Sequence, residues 1–312
     1  MRSDQLRLLG TVSLVLVTLA SPAGAQVTEY EKTCEVSAAA TLDERHFVVA
    51  NDETGTLTVY DRARTEPVSR FELSPDITDI EGAARIGNTI FWLSSHSLTK
   101  KGHDKPERKL LLATAVADGP GLSAVGVPFA DLRRTLAGAL AMDEATLSKD
   151  LNIEGLAATP DGGLLIGLRG PRTPAGKAIV VRLDDPFRLV GLGRPTSLPA
   201  VKPGPTFVRE LDLAGRGIRS MERVGDGARS YIVVADSEQD ADPDPLLFWW
   251  DGDGEVAPGP KIGPLAGTVP EALVAWTQTQ IQLFGDNGDR CTDKLKFKGR
   301  RYFPSQTIDL RK

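Results

Sequence analysis

The sequence predicts an all-β fold, a five-bladed β-propeller of four-stranded blades with one helical insert. A Glu followed by small or apolar residues recurs five times, and each copy leads through a turn into a β-forming run that ends in polar residues. The interval from the Glu to that strand end stays between 14 and 16 residues (81 to 95, 35 to 51). Strand pairs repeated at a fixed spacing are typical of radial β-architectures. One segment breaks this pattern with helical periodicity.

The five Glu residues open the predicted blades, which begin near residues 34, 78, 151, 215 and 267. In a propeller, the innermost strand of a blade runs away from one face and the second strand returns to it. We therefore expect the Glu residues and the second-strand ends to surround the same mouth of the axial channel. The Glu residues are Glu35, Glu81, Glu154, Glu222 and Glu271, and the strand ends are Asn51-Asp52, Ser95-His96, Arg169, Asp236 and Asp286-Asn287.

The remaining strands follow from β-forming runs bounded by turn residues such as Thr54-Gly55. Blade one is predicted at residues 34–40, 46–50, 57–60 and 68–73. The outer strands are predicted at 109–115 and 122–127 in blade two, and at 178–183 and 207–213 in blade three. In blade four they are predicted at 246–250 and near 256, and in blade five at 294–298 and 302–308. Two alternatives stay open: a β-sandwich, and a sixth, degenerate blade between Pro186 and Gly215.

The helical insert is predicted at about residues 128–150. Phe129, Leu132, Leu136 and Leu140 recur at helical spacing, and Asp143 is a suitable N-cap for a second short helix ending near residue 149. The insert connects blades two and three on the face where the first strands start. We therefore expect it to cover or flank the channel mouth.

The first 25 residues have the pattern of a secretory signal peptide. A basic start with Arg2 and Arg7 precedes an apolar run over residues 8–19 and the small-residue cleavage site Ala23-Gly24-Ala25. We expect a mature single-domain protein of residues 26–312, periplasmic or secreted and monomeric, with no membrane span because the apolar run is too short. A formal net charge of −5 gives no electrostatic footprint for nucleic acid.

The chain has two cysteines, Cys34 and Cys291. An even pair in an exported protein predicts a disulfide. Cys34 precedes the first Glu and Cys291 follows the last strand end, so the bond would join the first repeat to the last. Two buried free thiols are the alternative.

Several motifs in combination resemble a bacterial domain-of-unknown-function family, family 3616, of secreted β-propellers. The motifs are Asp79-Ile-Glu-Gly-Ala-Ala84, Ile90-Phe-Trp-Leu-Ser-Ser-His96, Lys100-Lys101-Gly102, Ile153-Glu-Gly-Leu-Ala-Ala158 and Gly215-Arg-Gly-Ile-Arg-Ser220. The resemblance covers nearly the whole mature chain and implies the fold without an established activity. The Glu-Gly pair is also similar to phytase-like esterase and gluconolactonase propellers, which implies channel-facing acids that hold calcium or another divalent ion.

A ring of carboxylates needs positive charge among its members, because like charges at close range repel. One interpretation is a divalent cation, Ca²⁺, held by oxygen ligands. Its candidate ligands are Glu35, Glu81, Glu154, Glu222, Glu271 and Asp286. The other interpretation is structural: each Glu accepts backbone N–H bonds or pairs with an Arg of the neighbouring blade.

Two hypotheses about function fit this pattern. In the first, the ion serves a hydrolase of small anionic esters, phosphoesters or lactones. Its catalytic residues would be His96, Glu81 and Glu154, with Lys100, Lys101, Arg169 and Arg219 holding the anion. In the second, the propeller is a non-catalytic scaffold that engages a protein or glycan partner. The chain contains no Walker loop, nucleophile elbow, H-E-x-x-H or G-x-G-x-x-G motif, which removes common hydrolase and dinucleotide-binding classes.

The disulfide prediction is tested by counting thiols. Unfolded, unreduced protein should react with no thiol reagent, and reduction should release two thiols per chain. Joining residues 34 and 291 closes a loop of more than 250 residues, for which the chain-entropy model gives about 4–5 kcal/mol of stabilisation. Two reactive thiols in the unreduced, unfolded protein would contradict the prediction.

Overall fold

The fold is a ring of five four-stranded antiparallel sheets, as predicted. The computed structural model of the 312-residue chain describes residues 27–200, 207–237, 245–262, 265, 267–288 and 301–311. Each inner strand contacts the inner strands of the two neighbouring blades, so five strands surround one axis. Between residues 186 and 215, the described part holds one short helix and the outer strand of blade three, so the ring has five blades and not six.

The first four blades are each built from four consecutive strands, numbered from the axis outward. Blade one contains β2 (Val36–Thr41), β3 (His46–Asn51), β4 (Thr56–Asp61) and β5 (Pro67–Glu72). Blade two contains β6 (Ile80–Ile86), β7 (Thr89–Ser94), β8 (Leu111–Val116) and β9 (Leu122–Phe129). Blade three contains β10 (Asn152–Ala158), β11 (Leu164–Gly170), β12 (Ala178–Leu183) and β13 (Val208–Leu211). Blade four contains β14 (Gly217–Arg223), β15 (Tyr231–Asp236), β16 (Leu246–Trp250) and β17 (Ala257–Pro258).

Blade five differs from the prediction because it combines the two ends of the chain. Its strands are β18 (Pro270–Thr277), β19 (Gln280–Gly285), β20 (Tyr302–Asp309) and, at the outer edge, β1 (Val27–Glu31). The sequence predicts that the first blade begins near residue 34 and that the third strand of blade five spans residues 294–298, which lie outside the described residues. The third strand is instead β20, and the fourth comes from the N-terminal segment.

The ring is thus closed by a strand that the sequence repeat does not contain. β1 pairs with β20 from Val27↔Gln306 to Glu31↔Tyr302. Its Tyr30 is 1% exposed and packs against Phe303 and Phe47, with ring centroids 5.3 and 5.1 Å away. Cys34 follows β1 and is buried, but Cys291 lies outside the described residues, so the disulfide remains a prediction.

Small residues let the inner strands approach one another closely near the axis. A Cβ added to Gly82 would lie 2.7 Å from Leu156 Cβ, and one added to Gly155 would lie 2.7 Å from Ile218 Cγ2. Such distances are too short for any side chain, so glycine is required where one inner strand crosses the next. The recurrent Glu-Gly pair therefore combines a polar residue with a packing requirement.

The predicted insert is helical and belongs to the core. Helix α1 (Leu132–Ala139) and helix α2 (Glu144–Asp150) lie between β9 and β10, and Asp143 caps α2 by accepting a 3.0 Å bond from the Thr146 N–H. Leu132, Leu136 and Leu147 are fully buried in the cluster between blades two and three. A third helix, α3 (Pro186–Leu189), lies between β12 and β13. Among the residues that the structure describes, no helix combines the length and apolarity that crossing a membrane requires.

We predict that ring closure depends on Tyr30. Substituting Tyr30→Ala removes a fully buried aromatic ring at the seam and should lower the free energy of unfolding by about 3–5 kcal/mol. Val27→Ala on the same strand, where the side chain is 38% exposed, should change it by less than about 0.5 kcal/mol. Urea denaturation measures both values. Equal, small effects would mean that β1 does not contribute to closure.

Candidate functional site

Each inner strand begins with a β-bulge, and the bulged residues meet at the channel mouth. In every blade, the register between the first and second strand shifts near the strand start, and one inner-strand residue there is left out of the ladder. A bulge leaves that residue outside the ladder and re-aims its side chain. Arg219 of blade four donates to Glu154 of blade three and to Glu271 of blade five, which indicates that bulged side chains of different blades share the channel. The five bulged residues are Ser37, Glu81, Glu154, Arg219 and Glu271.

Two of the five predicted ring positions are therefore wrong. In blade one the bulged residue is Ser37, two positions after Glu35, and in blade four it is Arg219, three positions before Glu222. In these two blades the nearest Glu is not the bulged residue, and sequence spacing does not reveal which residue leaves the ladder.

Glu35 and Glu222 occupy other places. Glu35 accepts a bond of 3.3 Å from Asn51 Nδ2 before β2 begins. Glu222 lies three positions after the bulged residue of its strand. The residues at the equivalent position in the other blades pack between neighbouring blades; they are Ala40, Ala84, Ala157 and Val274. Burial raises the pKa of Glu222 to about 8.

The second-strand ends align as predicted except in blade two, where Ser95 and not His96 is equivalent to Asp52 and Arg169. The ladders bring Asp52, Ser95, Arg169, Asp236 and Asp286 to equivalent positions beside the bulges. His96 lies one residue further on, with a positive φ of 57°, and it is fully buried.

The imidazole of His96 does not reach the channel. Its Nδ1 lies 2.9 Å from the Ser94 carbonyl oxygen, its Nε2 has no hydrogen-bond partner, and burial lowers its pKa to about 4. Arg133 of α1 donates two bonds of 2.9 and 2.6 Å to the His96 carbonyl oxygen. This neutral, enclosed ring does not support the predicted acid–base role.

The half of the mouth formed by blades three to five is an ion-pair network. Glu154 accepts bonds from Arg169 Nη1 at 3.0 Å, Arg219 Nη1 at 3.0 Å and Asn152 Nδ2 at 2.8 Å. Arg219 Nη2 also donates to Glu271. A guanidinium with a planar fork of donors suits such a bridge between two carboxylates.

The residues predicted to hold an anion are therefore divided. Arg169 and Arg219 are 12% exposed and are engaged by carboxylates in the channel. Lys100 and Lys101 are exposed on a turn that follows His96, away from this network in the described contacts. The four cations do not converge on one anion site.

The half formed by blades one and two holds three close carboxylates, of which only Asp79 forms an ion pair within the described residues. Asp52, Asp79 and Glu81 each offer an oxygen within 4.8 Å of the others'. The Asp52 Oδ1 is buried without a hydrogen-bond partner, and the Glu81 carboxylate has no hydrogen bond or ion pair within the described residues. Asp79 uses its Oδ2 to accept from Ser95, Ser97 and Arg108.

Asp79 was not among the predicted site residues, although it belongs to the Asp79-Ile-Glu-Gly motif. It lies just before β6 with a positive φ of 58°, a region that Asp tolerates better than most residues. Its N–H donates to the Asp52 carbonyl oxygen at 2.7 Å, which ties blade two to blade one at the cluster. The motif supplied a signal, but the Asp–Asp contact between blades depends on tertiary structure.

Burial and mutual repulsion raise the pKa values of these carboxyl groups. Burial, followed by the nearby charges of Asp79, Glu53 and Asp286, raises the pKa of Asp52 to about 7. Burial and the other channel carboxylates raise the pKa of Glu81 well above its usual value, and burial raises that of Asp286 to about 6. The cluster therefore favours a bound proton or a bound cation.

The comparisons with known proteins define no family. No protein-family model matches this chain, and no curated protein matches it in sequence. Glutaminyl cyclase from Myxococcus xanthus is 14% identical with a TM-score of 0.47, over 90% of this chain and 95% of that chain. A putative oxidoreductase (glucose dehydrogenase) from Thermus thermophilus is 13% identical with a TM-score of 0.46, over 91% of this chain and 100% of that chain. A chain of a nidogen/laminin complex is 13% identical with a TM-score of 0.40, over 80% of this chain and 72% of that chain. These likenesses carry no argument about the function of this chain.

The ion-pair network generates a stability prediction. Arg219→Met removes the guanidinium that donates to Glu271 and to Glu154. The free energy of unfolding at pH 7.5 should therefore fall by about 3–5 kcal/mol. Arg223→Met on the same strand removes a surface pair with Asp226, which is 73% exposed, and should cost at most about 1 kcal/mol.

Urea denaturation measures both Arg variants. Adding Glu271→Gln to Arg219→Met should restore part of the loss, because it removes the uncompensated charge. If Arg219→Met were no more harmful than Arg223→Met, the bridge would not stabilise the ring.

Proposed function

We propose that this protein binds a divalent cation, Ca²⁺, between Asp52, Asp79 and Glu81, and uses it to hydrolyse a small anionic ester, phosphoester or lactone at the channel mouth. One observation carries the proposal. Three carboxylates from two adjacent blades bring their oxygens within 4.8 Å of one another, and one of those oxygens is buried without a partner. A buried, unpartnered carboxylate oxygen is costly unless a proton or cation occupies the space beside it.

The ligand chemistry favours a hard cation. The cluster offers only carboxylate oxygens, which suit Ca²⁺, Mg²⁺ and Mn²⁺ better than the softer metals that select His or Cys. Calcium tolerates an irregular set of six to eight oxygens, and water would complete the coordination of three carboxylates. Arg108 pairs with one Asp79 oxygen, so three carboxylates and one cation leave a net negative cluster for the ion.

The surrounding residues have separate roles in this proposal. A bound ion would polarise a carbonyl or phosphoryl oxygen and lower the pKa of a bound water. Asp286, whose pKa is raised to about 6, is ionised at neutral pH and suited to accept a proton there. Glu154 and Arg219 act as the fixed wall of the channel, since their charges are already paired.

A non-catalytic scaffold is the second candidate, and the ion-pair network favours it. Arg219 satisfies carboxylates from both neighbouring blades, as a device for holding blades together would require. Membership of family 3616 and export through the first 25 residues remain proposals. If the protein is exported, the site would meet extracellular calcium, which other extracellular modules bind with a Kd of about 10⁻⁴–10⁻³ M.

The calcium response of stability tests the cation site. With Kd of about 10⁻⁴ M, 10 mM Ca²⁺ should raise Tm by roughly 5–10 °C over protein in chelator. Glu81→Gln should abolish this rise. Glu222→Gln is the matched control, because it changes an inner-strand Glu outside the cluster and should leave the rise intact. A wild-type Tm that changes with neither chelator nor calcium would contradict the proposed cation site.

The stabilisation of the protein by calcium should depend on pH, in a direction set by the raised carboxyl pKa values. Asp52 binds its proton up to about pH 7 in the folded state and loses it near pH 4 when unfolded, so chelated protein should lose stability as pH rises through this window. Calcium competes with that proton, so its stabilising effect should be small at pH 5 and large at pH 8.

Activity distinguishes the two candidate functions. A hydrolase should cleave members of a panel of p-nitrophenyl phosphate, p-nitrophenyl acetate and sugar lactones in the presence of calcium, and lose this activity in chelator and in Glu81→Gln. A calcium-dependent Tm without hydrolysis of any panel member would support the scaffold.

A further inference from the structure

A second polar cavity of about 330 Å³ lies at the seam of the ring, between blade one and the segment that joins β1 to β2. Asp52, Asp79 and Glu81 do not line it. Its volume falls at the lower end of the range for small-molecule sites, enough for a ligand of monosaccharide size.

One part of the cavity lining is cationic and has unused donors. Lys32, Arg70 and Arg301 contribute to it, and backbone contacts hold the three together. The Lys32 N–H donates to the Arg301 carbonyl oxygen at 2.8 Å, and Arg70 Nη2 donates to the Lys32 carbonyl oxygen at 3.1 Å. Within the described residues, none of the three side chains forms an ion pair. Three cations without an ion-pair partner in the described part of the chain surround one cavity, and in a chain of net charge −5 they favour an anion.

The other part of the lining is a connected row of hydroxyl, amide and carboxylate groups. Thr54 Oγ1 lies 2.9 Å from Asn51 Oδ1 and 3.0 Å from Thr56 Oγ1. Asn51 Nδ2 donates to Glu35, and the buried Thr33 and Thr58 hydroxyls lie 3.3 Å apart. Groups that both donate and accept hydrogen bonds suit the hydroxyls of a polyol.

We propose that this seam cavity binds a monosaccharide that carries an anionic group, either a sugar acid or a sugar phosphate. Lys32, Arg70 and Arg301 receive the anionic group, and Asn51, Thr54, Thr56 and Glu35 face the sugar hydroxyls. Glu35 is central to the choice of ligand, because its carboxylate repels a bare anion and accepts hydrogen bonds from hydroxyl groups. The proposal is independent of the cation site.

Isothermal titration calorimetry on the full chain in chelator tests the proposal. Four probes separate the two halves of the ligand: glucuronate, glucose 6-phosphate, glucose and inorganic phosphate. At least one of the two anionic sugars should bind with a Kd at least tenfold lower than glucose and than phosphate. The better of the two identifies the anionic group.

Substitutions place that binding in the seam cavity. Arg70→Gln should weaken the anionic sugar at least tenfold, and Arg70→Lys should weaken it less because it keeps the charge. Thr56→Val should weaken binding of the anionic sugar without changing the affinity for inorganic phosphate. Arg64→Gln is the matched control, since Arg64 is exposed on the turn between β4 and β5 outside the cavity.

Four outcomes would overturn the proposal. They are the absence of binding by both anionic sugars at 10 mM, equal affinity for glucose, equal affinity for phosphate, and an Arg70→Gln variant that folds and binds like the wild type. Circular dichroism and Tm establish that each variant is folded.

Discussion

The structure depends on one constraint: five inner strands converge on a single axis, and each begins with a bulge that turns one side chain into the channel. This geometry concentrates polar groups where there is little water to separate them. With Ser, Glu, Glu, Arg and Glu at the five positions, the charges cannot balance evenly around the ring. Arg219 neutralises the two Glu residues beside it, and Glu81, in blade two, remains without a partner in the described part of the chain.

That asymmetry separates stability from chemistry. A buried ion pair offsets its desolvation cost only when its charges are closely paired and hydrogen-bonded, and Glu154 accepts three hydrogen bonds in its network. The opposite half keeps its carboxylates close together and holds their pKa values high through burial and repulsion. Sites that retain such electrostatic strain are frequent places for function, because a ligand can relieve it. A cation is the ligand that this arrangement favours.

Ring closure shapes a second region of the molecule. The N-terminal strand β1 completes blade five, so the chain must pass from the outer edge of that blade to the inner edge of blade one. Lys32, in a left-handed backbone conformation with φ of 75°, lies on this passage and bonds to Arg301 on the approach to β20. The seam therefore brings cations from both ends of the chain beside the hydroxyl row of blade one.

The sequence by itself determined the propeller, its five blades, the helical insert and the alignment of the second-strand ends, because strand pairs, turns and helical spacing are local patterns. It also identified Glu81, Glu154 and Glu271 as channel residues, since in these blades the conspicuous Glu is the bulged residue. Only the tertiary structure decided that Ser37 and Arg219 take the places expected for Glu35 and Glu222, that Asp79 joins Asp52 and Glu81, and that His96 is enclosed. The physical reason is that a bulge shifts the register by one residue, and which blades meet at the axis is set by long-range packing that local spacing does not encode.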